Sequence, residues 1–424
     1  MSLLADLLAT VFERATKRPP GEKWDERPVE DLVGELIGTS GEVRGMVLAR
    51  QILDRYAAMD DAQKRAFFTF LATDMDIDAQ AVRTSLAVYE QSPSKASYRD
   101  FMAAAEPGRQ ELVRRLNQVP GATGNLVAMR SDLLEIARDD ASLAAIDLDF
   151  KHLFASWFNR GFLVLRPVNW ESPAHILEKI IEYEAVHAID SWEDLRRRLQ
   201  PSDRRCFAFF HPTMANEPLI FVEVALTRGK SSSIQQILAD ERETLDAGEA
   251  DTAVFYSISN CQSGLAGISF GNSLIKQVVQ DLSFELPDLR TFVTLSPIPG
   301  LAQWLETRGI EDAVDPATLG QLTAHYLIDV KRADGTPVDP VARFHLGNGA
   351  MVHAVHADAD TSANGLAQSH GAMVNYLYDL SAISQNHEMF AALKDIAASP
   401  EVRAMARLGS ATDNKEPVDD QSAV

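Results

Sequence analysis

The stretch TLSPIPG, residues 294–300, ends an apolar run on a serine and sets two prolines and a glycine behind it. Pro297 and Pro299 fix φ and donate no backbone hydrogen bond, so the chain is stiff there and is expected to leave any sheet. Open α/β sheets bind ligands at strand ends. A hydroxyl held rigidly at such an end can donate a hydrogen bond or pass a proton, which makes Ser296 a candidate; the plainer reading is a strand-ending turn. His345, in VARFHLGNGA, precedes the turn signal Gly347-Asn348-Gly349. An imidazole there suits acid–base chemistry or the orientation of a hydroxyl, although one of ten histidines is weak evidence by itself. In SNCQSGLAGISFGNSLIK, residues 259–276, a strand end and a glycine-bearing loop open into a helix. Gly264, Gly267 and Gly271 let the backbone approach a ligand, N–H groups at the helix start attract negative charge, and Lys276 adds a cation. The loop lacks the Gly-Lys-Ser/Thr ending of a Walker A motif and is no clean dinucleotide fingerprint. It is either an anion site or a glycine-rich strand-to-helix turn. HAVHADAD supplies His353, His356, Asp358 and Asp360, with His370 downstream. Metal binding has to be weighed, but His353 and His356 would fall on opposite faces of a strand. No Gly-x-Ser-x-Gly elbow is present, so a hydrolase triad lacks its local signature.

Composition narrows the classes. A chain of 424 residues, 46% apolar and 24% charged, is an ordinary globular protein with two to three domains. No apolar run reaches the ~18–20 residues of a membrane span, and the first residues lack a secretory pattern. The net charge of −21 repels nucleic acid and anionic membrane. Any anionic ligand then depends on a local basic patch or on backbone N–H groups. Cys206 and Cys261 have neither disulfide-framework nor zinc spacing, which points to a reduced, cytoplasmic protein.

The elements that must position these residues fall into two textures. Residues 1–150 predict an all-helical domain. DAQKRAFFTFLATDM places Phe68, Leu71, Ala72 and Met75 at helical spacing, and Pro120-Gly121 splits two further helices. From 151 to 405 the pattern is mixed α/β. A strand is expected at Phe162–Arg166, stopped by Pro167. A helix should follow with Ser172 as N-cap and Pro173 at N1, then another capped by Ser191. CFAFFHP, EPLIFVEVALT, TAVFYSIS and TFVTLSPI are strand candidates, with a helix carrying Leu274, Ile275, Val278, Val279 and Leu282 between the last two. Residues 231–250 predict a helical insert. Beyond 345 the pattern predicts loop, short strand, loop and then a helix around NHEMFAALKDIAA, with a disordered tail over 406–424.

The consecutive blocks FVEVALT, FYSISNCQSGLAGISFGNSLIKQVVQDLSFELPDLRTFVTLSPIPGL, VARFHLGNGA and MVNYLYDL resemble malonyl-CoA decarboxylases. The likeness runs from about Trp157 to Tyr378. It implies a helical domain followed by an α/β acetyltransferase-like (GNAT) domain, whose mixed central sheet splays to admit coenzyme A. The pyrophosphate would sit on the turn at 259–276. That turn in acetyltransferases usually has a basic or amide residue and an earlier glycine; here only the final Gly271 of Ala266–Gly271 matches, so backbone N–H groups from Gly267 to Ser273 are the expected contacts. The resemblance places the active-site serine and histidine on Ser296 and His345, a further serine on Ser257 and a tyrosine on Tyr378. Animal members carry Glu where this chain has Ser269, so no catalytic carboxylate is implied there.

The resemblance implies conversion of malonyl-CoA to acetyl-CoA and CO2 with no cofactor and no metal. Ser296 would hold the carboxylate, His345 would orient and tune Ser296, and the pair would protonate carbon. Ser257, Ser259, Ser269, Tyr378 and Asn348 would line the substrate, and Gly267, Ile268, Gly271, Asn272, Ser273 and Lys276 would hold coenzyme A. A homo-oligomer, a tetramer by resemblance, would form through the helical domain, with no nucleic acid or membrane partner. An acyl-CoA N-acyltransferase and a coenzyme A-binding regulator without chemistry are the alternatives.

Overall fold

The structure, a computed structural model, describes residues 25–268, 274–310 and 315–413. The chain divides into two compact units.

The first unit takes in the chain up to Leu163 together with the short segments His211–Ala215 and 262–268. Its helices are Val29–Gly38, Glu42–Ala57, Asp61–Thr73, Ala79–Gln91, Lys95–Ala105, Gly108–Leu116, Ala122–Ile136 and Ala144–Trp157. Asp60 and Ser94 each start a helix with a reciprocal capping box. Leu32, Ile52, Phe67, Phe68, Leu71, Leu112, Leu126, Phe150 and Phe154 fill the core. The helix carrying Phe68 and Leu71 ends at Thr73, before Met75. The break at Pro120-Gly121 is present, with Gly121 at φ 78°. The helical run passes residue 150 and ends at Trp157.

The second unit is built on one eight-stranded mixed sheet: β1 (Val164–Val168), β2 (Arg204–His211), β3 (Met214–Thr227), β4 (Thr252–Asn260), β5 (Thr291–Thr294), β6 (Ser296–Pro297), β7 (Met351–His356) and β8 (Met373–Leu377). The order is β1-β2-β3-β4-β5-β8-β6, with β7 also pairing β8. β1 runs through Pro167 rather than stopping at it. As the edge strand, it has no outer neighbour for the missing N–H to fail. One face carries the helices Ala174–Tyr183 and Trp192–Leu199, packed through Ile176, Leu177, Ile180, Leu195 and Leu199 onto Cys206, Phe210 and Phe221. The first of these starts one residue later than expected. Pro173 is its N-cap, and Ser172 Oγ instead accepts the Asn169 N–H at 3.0 Å. Ser191 does cap the second, accepting the Asp194 N–H at 3.1 Å. The expected insert at 231–250 shrinks to Ile234–Leu238 and a single 3-10 turn at Ala247–Glu249.

Past residue 300 the chain is largely helical, including beyond 345, where loop and short strand were expected. Leu301–Thr307, Pro316–Ile328, Pro340–Gly347, Ala363–Ser369, Ile383–Leu393 and Pro400–Asp413 are helices. His345 therefore lies on a helix, not in a loop. The last helix runs through 406–413, where the tail was expected to begin; Val402, Ala406 and Gly409 are buried along it. Among the described residues, no helix is long and apolar enough to cross a membrane.

Two sheet features prepare the site. β4 and β5 are parallel and paired only from Thr252↔Thr291 to Phe255↔Thr294. Beyond that, β5 gives way at Leu295 to the two-residue β6, which pairs with β8 through Ser296↔Val374 and Pro297↔Met373. Pro297 thus does not end the sheet; it moves the chain onto another strand and opens a gap beside β4. Second, Glu223 faces Ser257 while Val224 faces Phe255, so Tyr256 is a bulged residue. A bulge bends and twists its strand, here at the point where the neighbour departs.

Candidate active site

A cavity of about 250 Å³ occupies the gap. Ile258 and Asn260 of β4 form one wall and Ser296 and Pro297 the other, with Val186, Val341, Phe344 and His345 around it. The helix Pro340–Gly347 supplies several of these residues because Asp339 caps it, accepting the Ala342 N–H at 2.8 Å, and Pro340 starts it. Val341 and His345 stand four residues apart and so share a helix face.

Ser296 and His345, 49 residues apart in sequence, meet at this wall: Ser296 Oγ lies 3.1 Å from His345 Nε2. The other ring nitrogen, Nδ1, is 2.8 Å from the Tyr378 hydroxyl. Tyr376 stacks on the imidazole at 4.5 Å between centroids. Ser296 also donates to Thr294 Oγ1 at 2.8 Å. Exposure is 5% for Ser296, 2% for His345 and 1% for Tyr378. Burial without a compensating charge pushes the His345 pKa down to about 3, so the imidazole is neutral, and lifts the Tyr378 phenol well above its ordinary value. The result is a neutral hydrogen-bonded chain of Tyr378, His345, Ser296 and Thr294, with Ser296 and His345 at the cavity.

Other expected residues go elsewhere. Ser257 does not line the cavity: its hydroxyl donates to both Glu184 oxygens, at 2.8 and 2.7 Å. Ser259 Oγ accepts the Ala185 N–H at 3.3 Å. Past the bulge at Tyr256, both serines fasten the segment after Tyr183 and are absent from the cavity lining. Glu184 also accepts the N–H groups of Val186 and His187, at 2.8 and 2.9 Å, which fixes Val186 at the cavity. Asn348 caps the His345 helix, giving its amide to the Phe344 carbonyl at 2.7 Å, and is absent from the lining. The following Gly349, at φ 85°, is required, because a Cβ there would sit 2.1 Å from the Ile383 carbonyl oxygen. Tyr378 acts on His345, not on the cavity.

Of the expected coenzyme A contacts, Ser269, Gly271, Asn272 and Ser273 lie outside the described residues. The Ile268 N–H is held by the Leu265 carbonyl at 3.0 Å, which removes it from the donors available to phosphate. Gly267 adopts φ 75°. Lys276 lies in the first turn of the helix Leu274–Glu285. Gly264 serves packing: a Cβ there would lie 1.8 Å from the Val127 carbonyl oxygen. Among the described residues no cluster suits a metal ion. His353 faces Lys230 Nζ at 2.5 Å, His356 faces Asn375 Oδ1 at 2.7 Å, and Asp360 accepts from Gln235 at 3.0 Å.

Glu184 and Thr294 were not anticipated from sequence. Thr294 had a signal, since two residues before Ser296 on a strand lies on the same face. Glu184, 73 residues from Ser257, had none.

Comparison with known proteins gives one consistent answer. A family model described as "Malonyl-CoA decarboxylase C-terminal domain" matches residues 161–319 and 311–417. Another, "Malonyl-CoA decarboxylase N-terminal domain", matches residues 76–158. The crystal structure of malonyl-CoA decarboxylase from Agrobacterium vitis is 48% identical, with TM-score 0.83, over 89% of this chain and 99% of that one. That from Rhodopseudomonas palustris is 46% identical, with TM-score 0.84, over 89% and 98%. Rattus norvegicus "Malonyl-CoA decarboxylase, mitochondrial" is 34% identical over 94% of this chain and 91% of its own length.

Proposed function

The chain belongs to the malonyl-CoA decarboxylase family, and from that premise we propose that it converts malonyl-CoA to acetyl-CoA and CO2 at the Ser296–His345 pair. The observation that carries the proposal is the contact of those two side chains, 3.1 Å apart, on the wall of the cavity between β4 and β6.

Malonyl-CoA contains its own electron sink. When the bond to the carboxylate breaks, its electron pair moves into the thioester carbonyl, giving CO2 and an enolate, so the chemistry calls for no cofactor. The protein must hold that bond roughly perpendicular to the thioester plane, stabilise the enolate oxygen and return a proton to carbon. Ser296 holds the carboxylate by donating to it, and His345 orients Ser296. The edge of β4 beyond Phe255, unpaired with β5, borders the cavity at Ile258 and Asn260. Its N–H groups are the candidate donors to the enolate oxygen. One of the Ser296–His345 pair, or a water they hold, then delivers the proton to the α-carbon, and the pair regains a proton from solvent before the next turnover. Coenzyme A would be held by backbone N–H groups of the segment from Gly267 to Ser273, other than that of Ile268, and by Lys276.

The purified protein incubated with malonyl-CoA alone should release acetyl-CoA and CO2. Turnover only when an acceptor amine is added would replace this reading with N-acyl transfer, and binding without turnover would leave a coenzyme A-binding regulator. The assembly is a homo-oligomer, a tetramer by resemblance, formed through the helical unit, where Val88, Tyr98 and Met102 are exposed. Sedimentation of the protein as a monomer would refute it. A reducing compartment, the cytoplasm, suits the two buried free cysteines; recovery of the protein from an oxidising compartment would refute that.

A further inference from the structure

We propose that Thr294 is a positioning residue that sets the tautomer of His345, and thereby leaves the Ser296 proton free for the substrate carboxylate. The proposal deepens the decarboxylase reading, since the carboxylate comes from it, but the tautomer is a property of the free protein.

Thr294 is fully buried at the end of β5. Its Oγ1 accepts the Tyr376 N–H at 3.1 Å and the Ser296 hydroxyl at 2.8 Å. Its carbonyl accepts the Asn375 amide at 2.7 Å. The residue is thus fastened to β8 by its side chain and its main chain.

Four groups then form a chain that can run in only two directions. In one, Tyr378 donates to His345 Nδ1, His345 Nε2–H donates to Ser296, and Ser296 donates to Thr294. In the other every proton reverses: Thr294 donates to Ser296, Ser296 to Nε2, and Nδ1–H to Tyr378. The distances of 2.8, 3.1 and 2.8 Å suit both. Each direction leaves one hydroxyl proton at the end of the chain, on Thr294 in the first and on Tyr378 in the second. A buried donor without an acceptor carries the full desolvation penalty, and a phenol is the stronger donor of the two. The Tyr378 oxygen is almost wholly buried, with His345 Nδ1 as its partner among the described residues. The first direction keeps that phenol proton bonded. It also agrees with the geometry at Thr294, where Ser296 Oγ is the donor and Thr294 Oγ1 the acceptor.

In this arrangement Ser296 accepts a hydrogen bond from His345 Nε2–H and donates one to Thr294. An arriving carboxylate replaces Thr294 as the acceptor by a rotation of one hydroxyl, and no proton crosses the imidazole. In the reverse arrangement the Ser296 proton points at Nε2. Ser296 could then offer the carboxylate only lone pairs until the ring changed tautomer.

The test is nitrogen-15 NMR of the full-length protein labelled at histidine, with His345 assigned by its loss in His345→Gln. The wild-type spectrum should show His345 protonated on Nε2. Thr294→Val, which keeps the shape and removes the oxygen, should move the proton to Nδ1 and lower kcat by about tenfold or more with KM within about threefold. Thr294→Ser should restore the Nε2–H signal and recover most of the turnover. A wild-type His345 protonated on Nδ1 overturns the proposal, and does so even if Thr294→Val fails to fold. A folded Thr294→Val protein that keeps the Nε2–H tautomer overturns it as well. These signals are read without substrate, so they stand apart from whether malonyl-CoA is turned over.

Discussion

A neutral imidazole between two hydroxyls can pass a proton in either direction without holding a charge, and the burial of His345 enforces that neutrality. With its pKa near 3, His345 does not titrate near neutral pH. The turnover number should therefore show no limb from it between pH 5.5 and 8.5, as steady-state rates on malonyl-CoA would reveal. Ser296→Ala and His345→Gln should each lower kcat by about 10²- to 10⁴-fold while changing KM a few-fold, if coenzyme A is held by the segment proposed for it and not by these two side chains. A Ser296→Ala enzyme with near-normal turnover would remove Ser296 from the reaction. Stability carries the opposite signature. The unfolded chain protonates this histidine near its ordinary 6.5, and the folded one only near 3. Its contribution is complete above about 6.5 and is lost as pH falls towards 3, so His345→Gln should unfold less steeply in acid. Ser296 and His345 were legible as residue types at suggestive places, and the resemblance joined them. The destination of Ser257 was not legible. Strand alternation predicts a face only while the register holds, and the bulge at Tyr256 breaks it.

The element that brings His345 to Ser296 is a helix of eight residues, Pro340–Gly347, held at its start by a fully buried Asp339. Burial lifts the Asp339 pKa to about 6, although the Ala342 N–H works against it. Because the folded protein holds this proton more tightly than the unfolded chain, stability is complete below about 3.8 and is lost as pH rises through about 6. Asparagine caps helices as well as aspartate and carries no charge to bury. Asp339→Asn should therefore match or exceed the wild-type melting temperature at pH 7.5 and remove part of the decline between pH 4 and 6. Asp339→Ala, which loses the cap, should cost about 1 kcal/mol. Calorimetry of the three proteins at pH 4.5, 6 and 7.5 would decide; an Asp339→Asn protein that melts lower at pH 7.5 would contradict the buried charge. This helix was missed in sequence because His345 is followed within four residues by Gly347-Asn348-Gly349. Those glycines end a helix rather than exclude one, with Asn348 as its C-cap. The strands and the long helices of the first unit were legible because their apolar spacing is regular. Pro167 and Pro297 misled, because a proline at a sheet edge or in a two-residue strand leaves the ladder intact.

At the scale of the whole molecule, a chain of net charge −21 gains nothing from overall attraction towards an anionic thioester, so the support of the segment proposed to hold coenzyme A matters more. Residues 262–268, which lead into the stretch expected to meet phosphate, belong to the helical unit. Arg130 holds them. It is fully buried and donates to the carbonyls of Gly264 at 2.6 Å and Ala266 at 2.8 Å, and to Asp147 at 2.8 Å. Gly264 can lie against the Val127 carbonyl because it has no side chain. The helical unit therefore shapes the loop directly. Arg130→Leu leaves two carbonyls and a carboxylate without this partner, although Lys151 still reaches Asp147 at 2.7 Å. Because Asp147 keeps Lys151, the loss falls on the two carbonyls, at about 1–3 kcal/mol for each left buried and unbonded. If the loop serves coenzyme A, the loss should show as a rise in KM for malonyl-CoA of about tenfold or more, with a smaller change in kcat, measured well below the variant's melting temperature. Calorimetric binding of free coenzyme A should weaken in parallel, because the reacting groups at Ser296 take no part in it. A folded variant that binds coenzyme A like the wild type would separate Arg130 from the ligand and leave it a purely structural role in the helical unit.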